Sequence, residues 1–155
     1  MNSEKDYSIR AARKDEHIKI FMESSTDYYN GFEDIFLENN ALPEIDFDAI
    51  STKCTFLGKP IDIPIMINAA TGGTEHTLEI NKKLATLSKE FNIPMAVGSQ
   101  TIAIQNAQAR EGFQIVREIN KDGVIIANVS ANSSYENVAK AIDMLAADAV
   151  QLHLN

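Results

Sequence analysis

The sequence contains a single cysteine and no long apolar run. With Cys54 alone no internal disulfide can form, which favours a reducing compartment. The longest apolar stretch, residues 63–70, is interrupted by Pro64 and Asn68 and is too short to cross a bilayer. The first ten residues lack the apolar centre of a signal peptide. These absences predict a soluble, cytoplasmic protein without a membrane partner.

Basic residues are also scarce, with 14 Lys and Arg against 22 Asp and Glu and a net charge of −8. Nucleic acids and anionic membranes both attract basic surfaces, so we expect neither as a partner. A local basic pocket for a small anion is compatible with this overall charge.

No arrangement typical of metal or triad chemistry is visible. Cys54 and the three histidines (His17, His76 and His153) are scattered, so we expect no metal ligand in this chain. Residues 71–73 lack the third glycine of a dinucleotide fingerprint. No side chain can be assigned as catalytic with certainty.

Beyond residue 62 short apolar segments alternate with amphipathic ones. Strands are predicted at 63–68, 94–97, 123–129 and 149–155, with a helix after each of the first three. Ser133 and Glu136 form a capping box for the third helix. The order βαβαβαβ is typical of a parallel sheet. The apolar stripes of the three helices are Ile80, Leu84, Leu87 and Phe91; Phe113, Val116 and Ile119; and Val138, Ala141, Ile142 and Leu145.

The predicted organisation is one domain, residues 1–155. Residues 1–61 form a lead-in with a helix at 3–22 and a hairpin around Gly58, and residues 62–155 carry the four strands. An open doubly wound sheet and half of a (β/α)8 (TIM) barrel both suit this pattern. The last strand has no following helix, and a complete barrel needs about 250 residues. We therefore expect an N-terminal fragment that forms about the first half of a barrel.

Polar groups follow all four predicted strands. The strand ends carry Asn68, the segment 98–101, Asn128 and His153. Ligands bind at the carboxyl ends of parallel strands, so these groups predict a site. In the last strand Gln151, His153 and Asn155 alternate with apolar residues, and His153 suits either a hydrogen-bonded core histidine or a substrate contact.

The lead-in helix has one basic face, formed by Arg10, Arg13, Lys14 and His17. Guanidinium and ammonium groups bind phosphate oxygens well. On spacing alone a solvated helix face is the more common explanation.

Several segments together resemble type II, FMN-dependent isopentenyl diphosphate isomerases. The similar segments, in order along nearly the whole chain, are 13–17 (RKDEH), 32–34, 40–44, 56–59, 67–73 (INAATGG), 96–100 (AVGSQ), Asn128 and 151–155 (QLHLN). The resemblance implies interconversion of isopentenyl and dimethylallyl diphosphate, with FMN kept reduced by NADPH, and Mg²⁺ on the diphosphate. It also implies a homo-oligomer, a tetramer or octamer.

The resemblance also implies residue roles. Contacts to FMN are implied for Ala69, Ala70, Thr71, Gly72, Ser99 and Asn128. Contacts to substrate are implied for Arg13, Lys14, His17, Ser99, Gln100, Thr101, His153 and Asn155. The flavin would carry the chemistry.

The sequence departs from this family in three places. Ala70 stands where the family usually has Met, and Thr101 stands where some members have an Arg. A Gln and a Glu expected after Asn155 are absent, so we expect residues 1–155 alone to be inactive. Two alternatives are another FMN-barrel oxidoreductase, of the α-hydroxy-acid oxidase or IMP dehydrogenase kind, and a non-catalytic half-barrel that binds flavin or phosphate.

Overall fold

The computed structural model of the protein describes residues 2–24, 29 and 31–154, without the side chains of residues 2–7 and 10. The α-helices are α1 (Asn2–Glu23), α2 (Glu75–Glu90), α3 (Thr101–Gln105), α4 (Glu111–Ile119) and α5 (Tyr135–Leu145). The strands are β1 (Cys54–Phe56), β2 (Lys59–Ile61), β3 (Met95–Ala96), β4 (Ile125–Ser130) and β5 (Ala149–His153). Short 3-10 helices lie at Phe32–Asp34, Phe47–Ala49 and Ala107–Ala109.

The prediction of a (β/α)8 barrel, with this chain as its first half, is wrong. The described residues form a parallel sheet of three strands in the order β3-β4-β5 and a separate antiparallel pair, β1-β2. Residues 63–68, the predicted first strand, contribute one bridge, Ile67 to Met95. Pro64 has no backbone donor for a ladder, which shortens this segment. The architecture is therefore a small α/β domain with an open sheet.

Both faces of β4 are covered, and the two faces differ in chemistry. Ile125, Ala127 and Val129 belong to the main core, together with the buried helix residues Phe113 and Leu145. The opposite face carries Ile126 in a smaller apolar cluster and then Asn128. This alternation follows from the two-residue period of a strand. It places the Asn128 side chain on the sheet face opposite the main core.

The predicted lead-in helix and hairpin are confirmed. β1 and β2 pair antiparallel around the turn at Leu57 and Gly58, and Gly58 has a positive φ of 77°. Ile61, only 4% exposed, anchors the hairpin in the smaller apolar cluster. Among the described residues, no helix is both long and apolar enough to cross a membrane.

Two details of the helices differ from prediction. The buried face of α2 is Thr77, Asn81, Ala85 and Ser88, whereas Leu87 is 43% exposed. Burial of these polar groups is possible because partners satisfy them: the Asn81 amide donates to the Gly112 carbonyl at 2.7 Å. The N-cap of α5 is Ser134 rather than Ser133, because the Ser134 hydroxyl accepts from the Asn137 backbone N–H.

Asp148 joins the hairpin to the sheet. Its carboxylate accepts from Lys59 at 2.6 Å, from Arg117 at 2.9 Å and from the Ile125 backbone N–H at 2.9 Å. Burial raises the pKa of Asp148, but these three hydrogen bonds together hold it below its ordinary value of 3.8. The ionised carboxylate therefore stabilises the fold above about pH 4, and this contribution is lost as the pH falls through the folded-state pKa.

We expect Asp148→Ala to lower the free energy of unfolding by about 1–2 kcal/mol, because two cations and one N–H lose their acceptor. Urea unfolding at pH 7 and pH 3 measures the effect, which should shrink at the lower pH. Asp143→Ala, at an exposed position of α5, is the control and should change stability by less than about 0.5 kcal/mol. Equal losses in both variants would contradict the role of Asp148.

Candidate functional site

A cavity of about 710 Å³ lies on the polar face of the sheet, beside helix α1. Three basic side chains of α1 line one wall, and the loops after Ile67 and after β3 line another. The third wall is formed by the ends of β4 and β5. The lining residues are Arg13, Lys14, His17, Asn68, Ala69, Ala70, Gly98, Ser99, Thr101, Ile102, Asn128, Ser130, Gln151 and His153.

Lys14 connects α1 to two loops beside this cavity by hydrogen bonds. Its ammonium donates to the carbonyl oxygens of Gly72 and, at 3.2 Å, of Ser99. It also lies 5.5 Å from the centre of the Phe113 ring, within the range of a cation–π contact. Burial, and secondarily the neighbouring charge of Arg13, lowers the pKa of Lys14 to about 8. The group is therefore a cation whose charge is sensitive to mildly alkaline pH.

A second contact holds α1 in the same place. The Thr74 hydroxyl donates to the Asp15 carboxylate at 2.9 Å. Thr74 is also the N-cap of α2, where its hydroxyl accepts from the Thr77 backbone N–H. The two contacts hold α1 so that Arg13 and His17, both exposed to solvent, border the cavity.

Polar groups of the strands form a connected network. The Asn128 amide nitrogen donates to Gln151 Oε1 at 3.1 Å, and Asn128 Oδ1 lies 2.9 Å from His153 Nδ1. After β3, the hydroxyl of Ser99 lies 3.2 Å from that of Thr101, the first residue of α3. The cavity thus combines a cationic wall with neutral hydrogen-bonding groups, a combination that suits a ligand with an anionic end and a polar planar part.

Gln100 occupies a different place from the other predicted site residues. Its side chain is fully buried, donates to the Ala141 carbonyl at 2.9 Å and accepts from the Asn128 N–H at 3.0 Å. Gln100 does not line the cavity, and neither do Thr71 and Gly72. Asn155 lies outside the described residues, as does the side chain of Arg10.

Curated proteins are similar to the chain over almost all its length. An isopentenyl-diphosphate delta-isomerase of Moorella thermoacetica is 43% identical over 153 residues, or 99% of this chain. That of Listeria innocua is 41% identical over 151 residues, or 97% of this chain, and that of a Geobacillus strain is 40% identical over 147 residues, or 94%. The chain is related to proteins named isopentenyl-diphosphate delta-isomerase.

The similarity covers only part of those isomerases. The chain spans 44% of the Moorella protein and 42% of the Listeria and Geobacillus proteins, which is less than half of their length. No protein-family model matches the sequence. The resemblance to isopentenyl diphosphate isomerases is therefore confirmed at this level, and the assignment to the flavin-dependent type stays a prediction.

Several lining residues were not among the predicted binding residues. Gln151 and Ser130 lie on the cavity because they share the strand face of Asn128 and His153. The two-residue period of a strand had placed Gln151 on that face without a binding role, and it could have identified Ser130 in the same way. Ile102 gave no such signal, since apolar residues in a helix usually indicate core. Asn68 and Gly98 were predicted as strand-end groups of the site, but without an assigned contact.

Proposed function

We propose that the protein interconverts isopentenyl diphosphate and dimethylallyl diphosphate, as an isomerase of isoprenoid synthesis. The observation that carries this proposal is the cavity in which Arg13, Lys14 and His17 face amide and hydroxyl groups at the strand ends. The similarity to proteins named isopentenyl-diphosphate delta-isomerase supports the same activity. Because the chain spans less than half of those relatives, the activity of the whole protein is part of the proposal.

The cationic wall would bind the diphosphate. Arg13 offers a planar guanidinium that can bridge two phosphate oxygens. The Lys14 ammonium has three N–H groups, and two of them already donate to Gly72 and Ser99, so one is left for an anion. The hydroxyls of Ser99 and Thr101 and the imidazoles of His17 and His153 would complete the contacts. The apolar end of the substrate would then lie towards Ala69 and Ala70.

The residues present fit FMN as the cofactor. The Thr71 hydroxyl, adjacent in sequence to Ala70 of the cavity wall, is buried and has no hydrogen-bond partner among the described residues, and it would need to turn towards the cavity to meet a bound group. Ala69, Ala70 and Asn128 border the cavity and would hold the flavin, and Ser99 would contact it as well. Reduced FMN, when bound, would supply an acid for the alkene and an electron-rich neighbour for the resulting positive charge.

NADPH and Mg²⁺ belong to the proposal in limited roles. NADPH would keep the flavin reduced, and Mg²⁺ would be bound mainly by the substrate diphosphate. Among the described residues no group of three or more His, Cys, Asp or Glu is close enough together to hold a metal ion. The side chains of this chain would therefore bind and orient the substrate and exclude water around the alkene.

The decisive experiment measures turnover by the full-length protein. Purified protein would be incubated with isopentenyl diphosphate, FMN, NADPH and Mg²⁺, and dimethylallyl diphosphate would be quantified by mass-resolved chromatography. We expect product only when FMN and a reductant are both present. Turnover without flavin would contradict the flavin-dependent type, whereas flavin binding without turnover would favour a binding module.

Anion affinity should fall at alkaline pH because Lys14 loses its proton near pH 8. Sulfate is a suitable probe, since its charge does not change between pH 7 and pH 9. We expect sulfate affinity to decrease by about fivefold over this range, equivalent to ~1 kcal/mol for the loss of one nearby charge. Isothermal titration calorimetry at several pH values measures it.

Two variants test whether Lys14 causes this change. Lys14→Arg keeps the positive charge and should abolish the decline above pH 8. Lys140→Arg, at an exposed position of α5, is the control and should leave the decline intact. A decline that persists unchanged in Lys14→Arg would assign the effect to another group.

Self-association into a tetramer or octamer is a further part of the proposal. Apolar side chains of the lead-in support it, since Phe36 is 88% exposed, Leu37 is 91% exposed and Phe47 is 84% exposed. Exposed apolar surface of this kind favours contact with another protein surface. Light scattering coupled to size-exclusion chromatography measures the assembly, and a monomer at micromolar concentration would contradict this part.

A further inference from the structure

We propose that Gln151 is a positioning residue that fixes, through Asn128, which nitrogen of His153 carries the proton. Gln151 does not itself need to touch the substrate for this role. The inference rests on the proposed function, because it assigns His153 a defined hydrogen-bonding form in the same cavity.

The strand register brings the three residues together. In the parallel pair of β4 and β5, Asn128 lies opposite Gln151, and Ser130 lies opposite His153. All three side chains project from the same face, since their positions differ by two along each strand. The chain of contacts runs from Gln151 Oε1 to the Asn128 amide, at 3.1 Å, and from Asn128 Oδ1 to His153 Nδ1, at 2.9 Å.

The direction of these two hydrogen bonds follows from the donors and acceptors available. A carboxamide has one donating end and one accepting end. Because the Asn128 NH₂ group donates to Gln151, the Asn128 carbonyl oxygen faces His153. That oxygen can only accept, so His153 Nδ1 must carry the proton.

Asn128 is held firmly enough to transmit this preference. It is 4% exposed, and its backbone bonds to Gln100 in both directions: its N–H donates to Gln100 Oε1 at 3.0 Å, and its carbonyl accepts from the Gln100 N–H at 2.8 Å. With the backbone fixed, the remaining freedom is a half-turn of the side-chain amide. With its Oε1 turned towards Asn128, as observed, Gln151 selects the orientation in which Asn128 Oδ1 faces His153.

The consequence for a ligand concerns the other ring nitrogen. His153 lines the cavity, and its Nε2 has no hydrogen-bond partner among the described residues. With the proton on Nδ1, the neutral ring presents a lone pair at Nε2 and can accept from a donor on the ligand. A phosphate oxygen, which only accepts, would bind at Nε2 when the ring takes up a second proton.

The tautomer can be measured directly in the full-length protein without any ligand. Two-bond ¹H–¹⁵N correlation spectra of ¹⁵N-histidine-labelled protein distinguish the two neutral forms, at a pH where the ring is neutral. We expect His153 in the Nδ1–H form. His76, at an exposed position of α2 and outside the cavity, provides an internal reference.

Variants at Gln151 separate positioning from mere packing. A Glu side chain at position 151 can only accept from Asn128, so Gln151→Glu should keep His153 in the Nδ1–H form. In Gln151→Leu the Asn128 amide has no partner at position 151 and can adopt either orientation, so His153 should be a mixture of both tautomers. Adding Asn128→Asp to Gln151→Leu restores an acceptor-only partner and should return His153 to Nδ1–H. An Nε2–H form in the unaltered protein, or an unchanged tautomer in Gln151→Leu, would overturn the inference.

The outcome can be separated from that of the proposed function. The spectra require no substrate, FMN or turnover, so a protein without isomerase activity can still show the predicted tautomers. Conversely, if the protein is an active isomerase but the tautomer of His153 does not change on substitution of Gln151, the proposed function stands and this inference is wrong. If Gln151→Leu does not fold, comparison of Gln151→Glu with the unaltered protein still tests it, because loss of the Nδ1–H form in Gln151→Glu would overturn the assignment.

Discussion

Phe113→Ala is expected to lower the free energy of unfolding by about 3–5 kcal/mol, the usual cost of emptying a fully buried aromatic position. Phe113 is 0% exposed and is the largest of the fully buried side chains. Its ring projects from α4 against the backbone of Gly72 and Gly73, and it also lies under the Lys14 ammonium. Phe113→Ala should therefore both leave a cavity in the core and weaken the packing of the Gly72–Gly73 segment.

Thermal unfolding followed by circular dichroism measures this loss, and the midpoint should fall by roughly 10 °C for a chain of this size. Tyr135→Ala is the matched control, because Tyr135 is 87% exposed. It should change stability by less than about 0.5 kcal/mol. Equal destabilisation in the two variants would mean that Phe113 does not anchor the core.

A double-mutant cycle can measure the coupling between Phe113 and Gly72. A Cβ at position 72 would lie 2.6 Å from Phe113 Cζ, closer than side-chain atoms approach each other. Gly72→Ala should therefore be destabilising alone and less so in a Phe113→Leu background, where the outer ring atoms are gone. A coupling free energy near zero would show that the two positions are independent.

The sequence predicted the elements best where the pattern was strongly apolar. Residues 123–129 were identified as a strand because a run that is apolar apart from Asn128 suits a strand buried on both faces, and β4 is Ile125–Ser130. The same two-residue period correctly placed Gln151 and His153 on one face of β5. In contrast, the isoleucines of 63–68 suggested a full strand, although only Ile67 makes a bridge.

Buried polar residues mark where sequence reasoning fails. Asn81 and Ser88 look solvent-facing in the helical pattern of α2, yet both are buried because Gly112 and Ile93 supply acceptors for them. Gln100 is the same case at the site: its amide suits a ligand contact and a core bridge equally well. Only the positions of Ala141 and Asn128 decide between the two roles, and these partners lie 41 and 28 residues further along the chain.

The cationic wall of the site illustrates the same limit. Spacing showed that Arg13, Lys14 and His17 share a helix face, but it favoured a solvated face. The position of α1 against the strand ends depends on tertiary contacts from Lys14 to Gly72 and Ser99 and from Asp15 to Thr74. Helical periodicity contains no information on such distant partners. The resemblance to a family, rather than the pattern, predicted the placement of this face.

Gly98→Ala should disrupt the site more severely than the addition of a methyl group at Gly72. A Cβ at position 98 would lie 2.5 Å from both the carbonyl carbon and the oxygen of Thr71. These are backbone atoms, so no side-chain rotation can relieve the clash. The loops at Thr71 and Gly98 also share a hydrogen bond, from the Gly98 N–H to the Thr71 carbonyl at 3.1 Å. The two loops would have to separate.

Separation of these loops should affect both stability and function. We expect a loss of about 1–3 kcal/mol in the free energy of unfolding, as for other overpacked positions. If the proposed function holds, displacement of Ser99 and Ala70 by about 1 Å should reduce turnover by roughly 100-fold. Gly31→Ala is the control: it has open space around the added Cβ and costs only the strain of a positive φ, 84° in this case. Its activity should remain intact. A Gly98→Ala variant as stable as Gly31→Ala and equally active would show that close contact between the two loops is not required for the site.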